Sequence, residues 1–300
     1  MNKVNICFVV LHYNTSEDTE HFIASVFKNI DTENFQIVIV DNASPNKSGK
    51  IIKEKYKENE KVHVILNNSN EGFARGNNAG IVYAEKNFNP DFIVMTNSDT
   101  YLIQKDFYFQ IQKEYDTSHF FVLGPQIITP KGVVLSQAQI RRPYDRKRTK
   151  QLIRSMKYHL FVNYCGIANL LRGIRKHITK AQKPTPNSRN VNERRENVYL
   201  EGACLIFSKD YLKVYHGINP RTYMYFEEEI LFYEMVRDER KTVYNPAVKI
   251  FHNSHGSTEA TYAKKRAYMI FRCKNQLKSA RILLDIIDEK PMEENIEKIQ

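Results

Sequence analysis

The chain has 300 residues, of which 42% are hydrophobic and 12% aromatic, so a sizeable core is expected and the composition argues against global disorder. Its formal net charge is +11, but 16 of its 45 Lys and Arg residues lie between positions 141 and 195, where only two acids occur. The basic character therefore belongs to one segment, which indicates a local surface for an anionic partner.

The first hundred residues alternate between short apolar runs and segments with helical spacing. Apolar runs rich in Val and Ile predict four strands, at residues 4–11, 35–41, 61–66 and 91–96. Helices are predicted between them, at residues 15–29, from the turn at 42–46 to about residue 59, and at 71–86. Because the runs are apolar throughout, they predict a mostly parallel, Rossmann-like α/β sheet with helices on both faces.

The second half of the chain is less regular. A strand is expected at 120–124, and a hairpin at 126–134 around Pro130-Lys131-Gly132. A helix-like stretch at 150–177 and a polar run to residue 197 then interrupt the pattern. It resumes with an apolar segment, two helices, a short strand and a long final helix, at 198–207, 210–216, 227–238, 249–251 and 260–288.

Two features bear on the compartment. There is no apolar run of about 18 residues, and the stretch 4–11 is too short for a secretory signal, so we expect the protein to stay in the cytoplasm. The cysteines form no CxxC pair, which argues against a disulfide framework or a zinc site; they are Cys7, Cys165, Cys204 and Cys273.

Polar residues follow each of the four predicted strands. Because ligands of such sheets bind outside the carboxyl ends of the strands, these loops are predicted to form one site. The polar ends are His12-Tyr13-Asn14, Asp41-Asn42, Asn67 to Asn70, and Asn97-Ser98-Asp99. Polar loops are also common without a ligand, and Asp41 can equally be a turn-forming residue.

Residues 70–80 read NEGFARGNNAG. On a helix, Gly72, Gly76 and Gly80 form one smooth stripe that permits close approach to a strand or a ligand. Arg75 and the positive end of the helix suit a phosphate group. A glycine-faced helix that packs on the sheet is the alternative, and the two interpretations are compatible.

Together these motifs resemble the family 2 glycosyltransferases of the GT-A fold, in particular the rhamnosyltransferase-like branch that builds polysaccharides. The resemblance rests on seven segments: VVLHYN (9–14), IVDNAS (39–44), NEGFARGNNAG (70–80), TNSD (96–99), GACLIFSKDYL (202–212), YMYFEEEILFYEM (223–235) and HNSHGST (252–258). It implies an inverting, metal-dependent transfer from a nucleotide diphosphate-sugar, of the dTDP-rhamnose or UDP-hexose class, to a saccharide.

The resemblance also suggests a division of the chain into four parts. The parts are a nucleotide-sugar-binding half (1–140), a basic amphipathic insert (141–197), an acceptor-binding and catalytic half (198–258) and a C-terminal helix (259–300). By the same resemblance, the candidate donor-binding residues are Asn14, Asp41, Asn42, Asn70, Gly72, Arg75, Asn77 and Ser98.

The resemblance assigns a nucleobase contact to Asp41 and a metal site to two later residues. Asp99 matches the last carboxylate of the DxD motif, whose first position here is Asn97. His252 matches a histidine that completes the metal site. A carboxylate, an imidazole and phosphate oxygens suit Mn²⁺ or Mg²⁺. The alternative for His252 is a histidine without a ligand role, and His255 lies close enough to be mistaken for it.

Residues 225–231 resemble the Y-x-E-D-x-D-L stretch of the family, although Ile230 replaces the more frequent Asp. The acceptor hydroxyl needs a positioned base, which the resemblance places at Glu228, with Glu227 as a second catalytic candidate. Glu227 and Glu229 compete for the role, since successive helical residues point about 100° apart. An acidic helix N-terminus favoured by the macrodipole is the alternative for all three.

The basic segment combines cations at 141–150 with an apolar series at 152–174. This pattern is typical of an amphipathic helix or hairpin on anionic lipid. Residues 141–178 are therefore predicted to dock the protein on the inner face of the plasma membrane, where a saccharide on a polyprenyl diphosphate would be the acceptor. A helical cap or a dimer contact is the alternative, and the oligomeric state is left open. Arg272 and Asn275 only partly resemble the family's RN pair and are taken as structural.

Three other functions compete with the transferase. A catalytically weak sugar-nucleotide-binding or membrane-associated scaffold protein would normally lack the equivalents of Asp99 and Glu228, and both are present. Nucleic-acid binding is not expected, because no RNP, helix-turn-helix or zinc pattern accompanies the cations. A sugar-1-phosphate nucleotidyltransferase would need a Gly-rich signature after the first strand, which is missing.

Overall fold

The computed structural model describes residues 4–133, 142–166, 191–253 and 265–292. The strands are β1 (Ile6–His12), β2 (Phe35–Asp41), β3 (Val62–Leu66), β4 (Phe92–Asn97), β5 (Thr100–Leu102), β6 (Val122–Thr129), β7 (Gly132–Val133), β8 (Arg195–Glu196), β9 (Cys204–Ser208) and β10 (Thr242–His252). The helices are α1 (Ser16–Asn29), α2 (Ser48–Lys55), α3 (Gly72–Phe88), α4 (Phe107–Ser118), α5 (Arg146–Cys165), α6 (Lys209–Tyr215), α7 (Glu227–Arg237) and α8 (Lys265–Glu289).

The strands form one mixed sheet in the order β3-β2-β1-β4-β9-β6-β10-β5, with β7 beside β6 and β8 beside β10. The strands β1 to β4 pair in parallel, as predicted. β9 runs antiparallel to both β4 and β6 and so joins the two halves of the chain in one sheet. The predicted α/β fold class is confirmed, and the antiparallel pairs lie in the second half of the sheet.

Two cores lie on opposite faces of this sheet. On one face, Phe8 of β1 packs with Phe22 of α1 and Phe107 of α4. On the other face, Val9 belongs to a cluster with Ile81 of α3 and with residues of α6 and α7. Successive side chains of a strand point to opposite sides, so the inner strands are covered by helices twice. This double burial explains why their sequences are apolar throughout.

A third core lies where α5 packs on α8. Ile153 of α5 is buried with Leu277 and Leu283 of α8 and with Ile230 of α7. The helical-cap alternative therefore describes the inner face of α5. This helix begins after the N-cap Asp145 and ends at Gly166, whose φ is 74°. The rest of the helix predicted to residue 177 lies outside the described residues.

Several predicted boundaries are wrong. The second helix ends at Lys55, four residues before its expected end. The short strand expected at 249–251 is the end of the 11-residue β10, which has a bulge between Asn245 and Lys249. Pro246 lies in that bulge, and because proline cannot donate to a ladder its presence masked the strand in the sequence.

The outcomes of the remaining predictions differ from one element to the next. The hairpin after residue 126 is present as β6 and β7, which pair antiparallel from Thr129 to Gly132. β5 and α4 were not predicted. The final helix is described from Lys265, and its expected start at residue 260 falls in a part of the chain that the structure leaves undescribed. Among the described residues, no helix combines the length and apolarity that crossing a bilayer requires.

Candidate active site

A cleft with a volume of about 790 Å³ opens at the carboxyl ends of β1, β2 and β4. Its other walls come from the residues before α7, from the start of α7 and from α8. The volume lies within the usual range for sites that enclose a small ligand. Eight of the twelve predicted site residues line it: Asn42, Asn70, Gly72, Ser98, Asp99, Glu227, Glu228 and His252.

The predicted metal ligands meet in this cleft. Asp99 follows β4 at the turn into β5, and β10 pairs antiparallel with β5, so that His252 lies opposite Thr100. The Asp99 Oδ1 atom is 3.1 Å from His252 Nε2, and both side chains are partly buried. The backbone amide of Asn253 also donates to the Asp99 carbonyl oxygen, at 2.9 Å. The register of two strands thus brings together two residues that lie far apart in the sequence.

The pair of Asp99 and His252 fits a divalent cation whose other ligands are not protein side chains. Within the described ranges, no group of three or more His, Cys, Asp or Glu side chains is arranged to hold a metal ion. Mg²⁺ and Mn²⁺ are commonly held by one or two protein ligands together with phosphate oxygens and water. The candidate alternative ligand, His255, lies outside the described residues.

The three consecutive glutamates at the start of α7 all line the cleft. The chain enters α7 through Tyr225 and Phe226, whose φ values are 72° and 74°. Left-handed backbone is costly for residues other than glycine and is concentrated at functional sites. Burial of Phe226 in the third core helps to hold this strained entry. The turn thereby fixes the acidic end of the helix in the cleft wall.

Glu228 and Glu227 occupy different environments. A Cβ on Gly202 would lie 2.7 Å from Glu228 Cδ and closer still to its Oε1, so the carboxylate packs on a surface that only glycine leaves open. Burial, together with Glu229 and Glu227, raises the pKa of Glu228 well above its ordinary value. Glu227 is only 7% exposed, and burial raises its pKa to about 7. Raised carboxyl pKa values are the expected property of a general base.

Asp41 closes the turn after β2 and does not line the cleft. Its carboxylate accepts hydrogen bonds from the amide and the hydroxyl of Ser44, and Gly49 packs directly against it. It lies 4.0 Å from the buried His12 ring. Burial lowers the pKa of His12 more than Asp41 raises it, so the neutral ring is favoured. These contacts match the turn-forming alternative, and the nucleobase contact stays a prediction.

The first amides of α3, where the sequence suggests a phosphate site, already donate to other parts of the protein, and the phosphate contact stays a prediction. A phosphate oxygen would have to displace these bonds. They run from Glu71 N to Asn42 Oδ1 at 3.0 Å, from Gly72 N to Asn70 Oδ1 at 3.0 Å and from Phe73 N to the Tyr223 carbonyl at 2.7 Å.

Three further candidates lie outside the cleft lining. The guanidinium of Arg75 donates to the Pro220 carbonyl at 3.1 Å. Asn77 is 1% exposed, and its amide donates to the Phe73 carbonyl on the buried side of α3. Asn14 is exposed beside the cleft rim, with its backbone amide on Ser44 Oγ. The structure therefore places these three residues outside the cleft lining, and their donor-binding role stays a prediction.

Two glycines of the stripe pack on the sheet and one lines the cleft, so both interpretations of the stripe apply. A Cβ on Gly76 would lie 2.6 Å from Leu11 Cδ1, and one on Gly80 would lie 2.5 Å from Val9 Cγ1. These two glycines therefore let α3 pack closely on β1. Gly72 differs, since it lines the cleft with a φ of 81°, and a side chain there would collide with Tyr223.

The cleft also contains residues that the sequence did not identify. Arg272 of α8, which was taken as structural, lies in the wall, whereas Asn275 is buried and bonds to the Phe271 carbonyl. Arg272 is the one Lys or Arg among the described lining residues. The aromatic and polar lining residues share no fixed spacing that could have revealed them; they are Tyr199, Glu201, Tyr223, Phe226, Phe271 and Gln276.

A family model and a relative of known name both match this chain, and both are glycosyltransferases. The family model described as glycosyl transferase family 2 matches residues 7–179. The low-salt glycan biosynthesis hexosyltransferase Agl10 of Haloferax volcanii is 19% identical over 270 residues, which are 89% of this chain and 73% of the relative.

Two similar solved structures carry sugar nucleotides or their parts. GalNAc-T7 with UDP, GalNAc and Mn²⁺ has a TM-score of 0.62 at 14% identity, over 96% of this chain and 50% of that one. TarS 1–349 of S. aureus in complex with UDP-GlcNAc has a TM-score of 0.56 at 15% identity, over 97% and 68%. A longer TarS chain is matched over 41% of its length, so this chain spans less than half of that protein. At these identities the likeness concerns the fold.

Proposed function

The chain belongs to glycosyl transferase family 2, and from this premise we propose that it moves a sugar from a nucleotide diphosphate-sugar to a saccharide acceptor with inversion. The observation that carries the proposal is the composition of one cleft. It contains a carboxylate–imidazole pair, Asp99 with His252, and a carboxyl group of raised pKa, Glu228. The first suits a bound diphosphate, and the second suits an acceptor hydroxyl.

The donor is proposed to be a UDP-hexose, with dTDP-rhamnose as the second candidate. UDP-GlcNAc is bound in the TarS structure and UDP in the GalNAc-T7 structure, and Agl10 is named a hexosyltransferase. The amide groups of Asn42 and Asn70 and the hydroxyl of Ser98 line the cleft near the strand ends. We assign them to the polar nucleoside and diphosphate groups of the donor.

Asp99 and His252 are proposed to hold Mn²⁺ or Mg²⁺ together with the donor. A divalent cation supplies positive charge that neutralises the diphosphate as it leaves. The GalNAc-T7 structure contains Mn²⁺, which supports the use of a metal by this fold. The protein contributes the two ligands in a fixed relation, because the pairing of β5 with β10 holds His252 beside the turn that carries Asp99.

Glu228 is proposed to act as the base. An oxygen of its ionised carboxylate takes the proton of the acceptor hydroxyl while the hydroxyl oxygen bonds to the anomeric carbon. The bond from that carbon to the diphosphate breaks with its electron pair on the leaving group, so the configuration inverts. Glu229 and Glu227 lie beside Glu228 and raise its pKa further, which makes the ionised form a stronger proton acceptor.

The acceptor is proposed to be a saccharide carried by a polyprenyl diphosphate lipid at the inner face of the plasma membrane. Rings of Tyr199, Tyr223 and Phe271 line the cleft and can cover the apolar faces of sugar rings. Agl10 is named for glycan biosynthesis, which supports a glycan as the product.

The donor assignment is tested by a thermal-shift panel of UDP, dTDP and GDP, each with and without Mn²⁺. A nucleotide at about 100 times its dissociation constant adds about 2.7 kcal/mol to the free energy of unfolding. We expect the largest shift with UDP and Mn²⁺ together. If no nucleotide changes the melting temperature, the donor site is refuted.

The base assignment is tested by Glu228→Gln, with Glu229→Gln as the matched control on the same helix turn. Glu228→Gln should leave only a small residual turnover, with the nucleotide shift intact. Glu229→Gln should keep the nucleotide shift and most of the turnover, because Glu229 acts only through the pKa of Glu228. Nucleotide binding without turnover in the wild-type protein would instead favour a sugar-nucleotide-binding or scaffold protein.

A further inference from the structure

The outward side of α5 carries cations and aromatic rings that take no part in the packing of its inward side. Residues at helical spacing lie on this side, which we call the α5 outer face: Lys147, Lys150, Arg154, Tyr158 and Phe161. The opposite side is occupied by Ile153, Met156 and Leu160, which pack in the third core. The apolar side of the helix is thus already covered by α8, and the outer face needs a separate explanation.

The N-terminal half of the α5 outer face is a basic concavity. A hollow with a volume of about 370 Å³ is lined by Arg146, Lys147, Lys150, Gln151 and Arg154. Arg146 pairs with Asp288 at 2.8 Å. Among the described residues, no carboxylate lies within 4.0 Å of the charged groups of the other three cations. Seven Lys or Arg residues and one acid occur at 142–166, so this surface attracts anions.

The C-terminal half of α5 carries exposed aromatic rings, two on the outer face and Tyr164 beside it. Tyr158 is 56% exposed, Phe161 63% and Tyr164 47%. Isolated exposed apolar side chains are common, but three aromatic rings within seven residues form a patch. Aromatic rings next to cations are the combination that the interface between lipid headgroups and acyl chains favours.

The C-terminal end of α5 is fixed to α8, which also forms part of the cleft wall. The Lys274 ammonium lies 5.3 Å from the centre of the Tyr164 ring, and Arg266 donates to the Asn163 and Tyr164 carbonyls. The same helix carries Phe271 and Arg272 into the cleft. A partner bound to α5 is therefore held at a constant position relative to the acceptor end of the cleft.

We propose that the α5 outer face docks on an anionic lipid bilayer, with its cations over the headgroups and Tyr158 and Phe161 in the interface. Docking orients the cleft so that a lipid-linked saccharide can enter it from the membrane. Only this orienting role rests on the proposed function. Residues 167–178, which were also predicted to dock, lie outside the described residues and are not needed. The cations favour an anionic partner, and the exposed aromatic rings favour a partner with an apolar layer. A bilayer of anionic lipid has both properties.

The test is co-sedimentation of the full chain with vesicles of phosphatidylcholine alone or with about 30% phosphatidylglycerol, at about 0.1 M salt. Wild-type protein should co-sediment with the anionic vesicles and should not co-sediment with the neutral ones. Each cation near the surface contributes about fivefold in affinity, so Lys150→Gln with Arg154→Gln should weaken binding about 25-fold. Tyr158→Ser with Phe161→Ser should weaken it as well, and the residual binding should then vanish at high salt.

Matched controls separate this face from general charge and exposure. Lys50→Gln with Lys53→Gln removes two exposed cations of α2, and Phe109→Ser removes an exposed ring of α4; both should bind like the wild type. Equal vesicle binding by the α5 variants and the controls would overturn the proposal, as would tighter binding of the wild type to single-stranded RNA than to vesicles. The nucleotide thermal shift, measured on the same proteins, reports separately on the donor site.

Discussion

Gly202 leaves the space that the Glu228 carboxylate occupies, so the smallest possible enlargement of this residue tests the position of the base. The Cβ of an alanine would lie 2.7 Å from Glu228 Cδ and 3.0 Å from its Cγ. Carbon atoms in contact are about 3.5 Å apart or more, so the Glu228 Cδ atom must move by about 0.8 Å, and Oε1, which is closer still to the added Cβ, must move further. The backbone of Gly202 is not in the left-handed region, so alanine itself causes no backbone strain.

The expected consequence is a loss of turnover with little loss of stability. A misplacement of about 1 Å in a catalytic group can cost about 100-fold in rate, which equals about 2.7 kcal/mol of transition-state stabilisation. The free end of a glutamate can rotate away, so Gly202→Ala should lower the free energy of unfolding by no more than about 1–3 kcal/mol. We expect kcat to fall about 100-fold, while the nucleotide thermal shift stays as in the wild type.

The assay is sugar transfer under saturating donor, measured for Gly202→Ala, Glu228→Gln and the double variant. If the alanine acts only by displacing the Glu228 carboxylate, the double variant should be no slower than Glu228→Gln alone. Two results would refute the reasoning. One is wild-type turnover of Gly202→Ala, and the other is a double variant whose losses multiply in full.

Three further substitutions test other parts of the cleft. Asp99→Asn should remove the part of the UDP thermal shift that depends on Mn²⁺, because an amide is a weaker ligand than a carboxylate; an unchanged Mn²⁺ dependence would exclude Asp99 as a ligand. Arg75→Ala should leave the UDP shift unchanged, because the Arg75 guanidinium bonds to Pro220 outside the cleft; a loss of the shift would restore it to the donor site. Burial raises the pKa of Glu227 to about 7, so the folded state holds its proton more tightly than the unfolded state. The free energy of unfolding should therefore fall as pH rises from about 4.5 to about 7. Glu227→Gln should reduce that slope in urea unfolding, and an equal slope would contradict burial of the charge.

The sequence alone predicted the features that depend on local patterns. The apolar runs around Val9 and Val38 indicated inner strands, because a strand covered on both faces has no polar side. The strand-end motif at Asp99 indicated a site, because the carboxyl ends of the strands meet at one edge of the sheet, and the family resemblance added Glu228 and His252 to it. Eight of the twelve candidate residues line the cleft.

The structure gives other candidates partners within the protein, and some of these partners come from distant parts of the chain. The positive end of α3 was expected to suit a phosphate group, but the Phe73 amide there donates to the carbonyl of Tyr223. Asp41 has the sequence context of a ligand residue, yet Ser44 and Gly49 enclose its carboxylate. No spacing within the segment 70–80 could have indicated that residues beyond 200 would cover the start of α3.

The amino-acid sequence was sufficient to establish that this protein would have an α/β sheet covered by helices, because burial fixes where apolar residues recur along each strand and helix. It also showed that the strands end in polar residues. Only the tertiary structure decided which of those polar groups face the cleft. It placed Arg272 in the wall and Gly202 beneath Glu228. The physical reason is that a backbone amide or a carboxylate bonds to whichever donor or acceptor the packed helices bring near it, and that choice depends on contacts between segments far apart in the sequence.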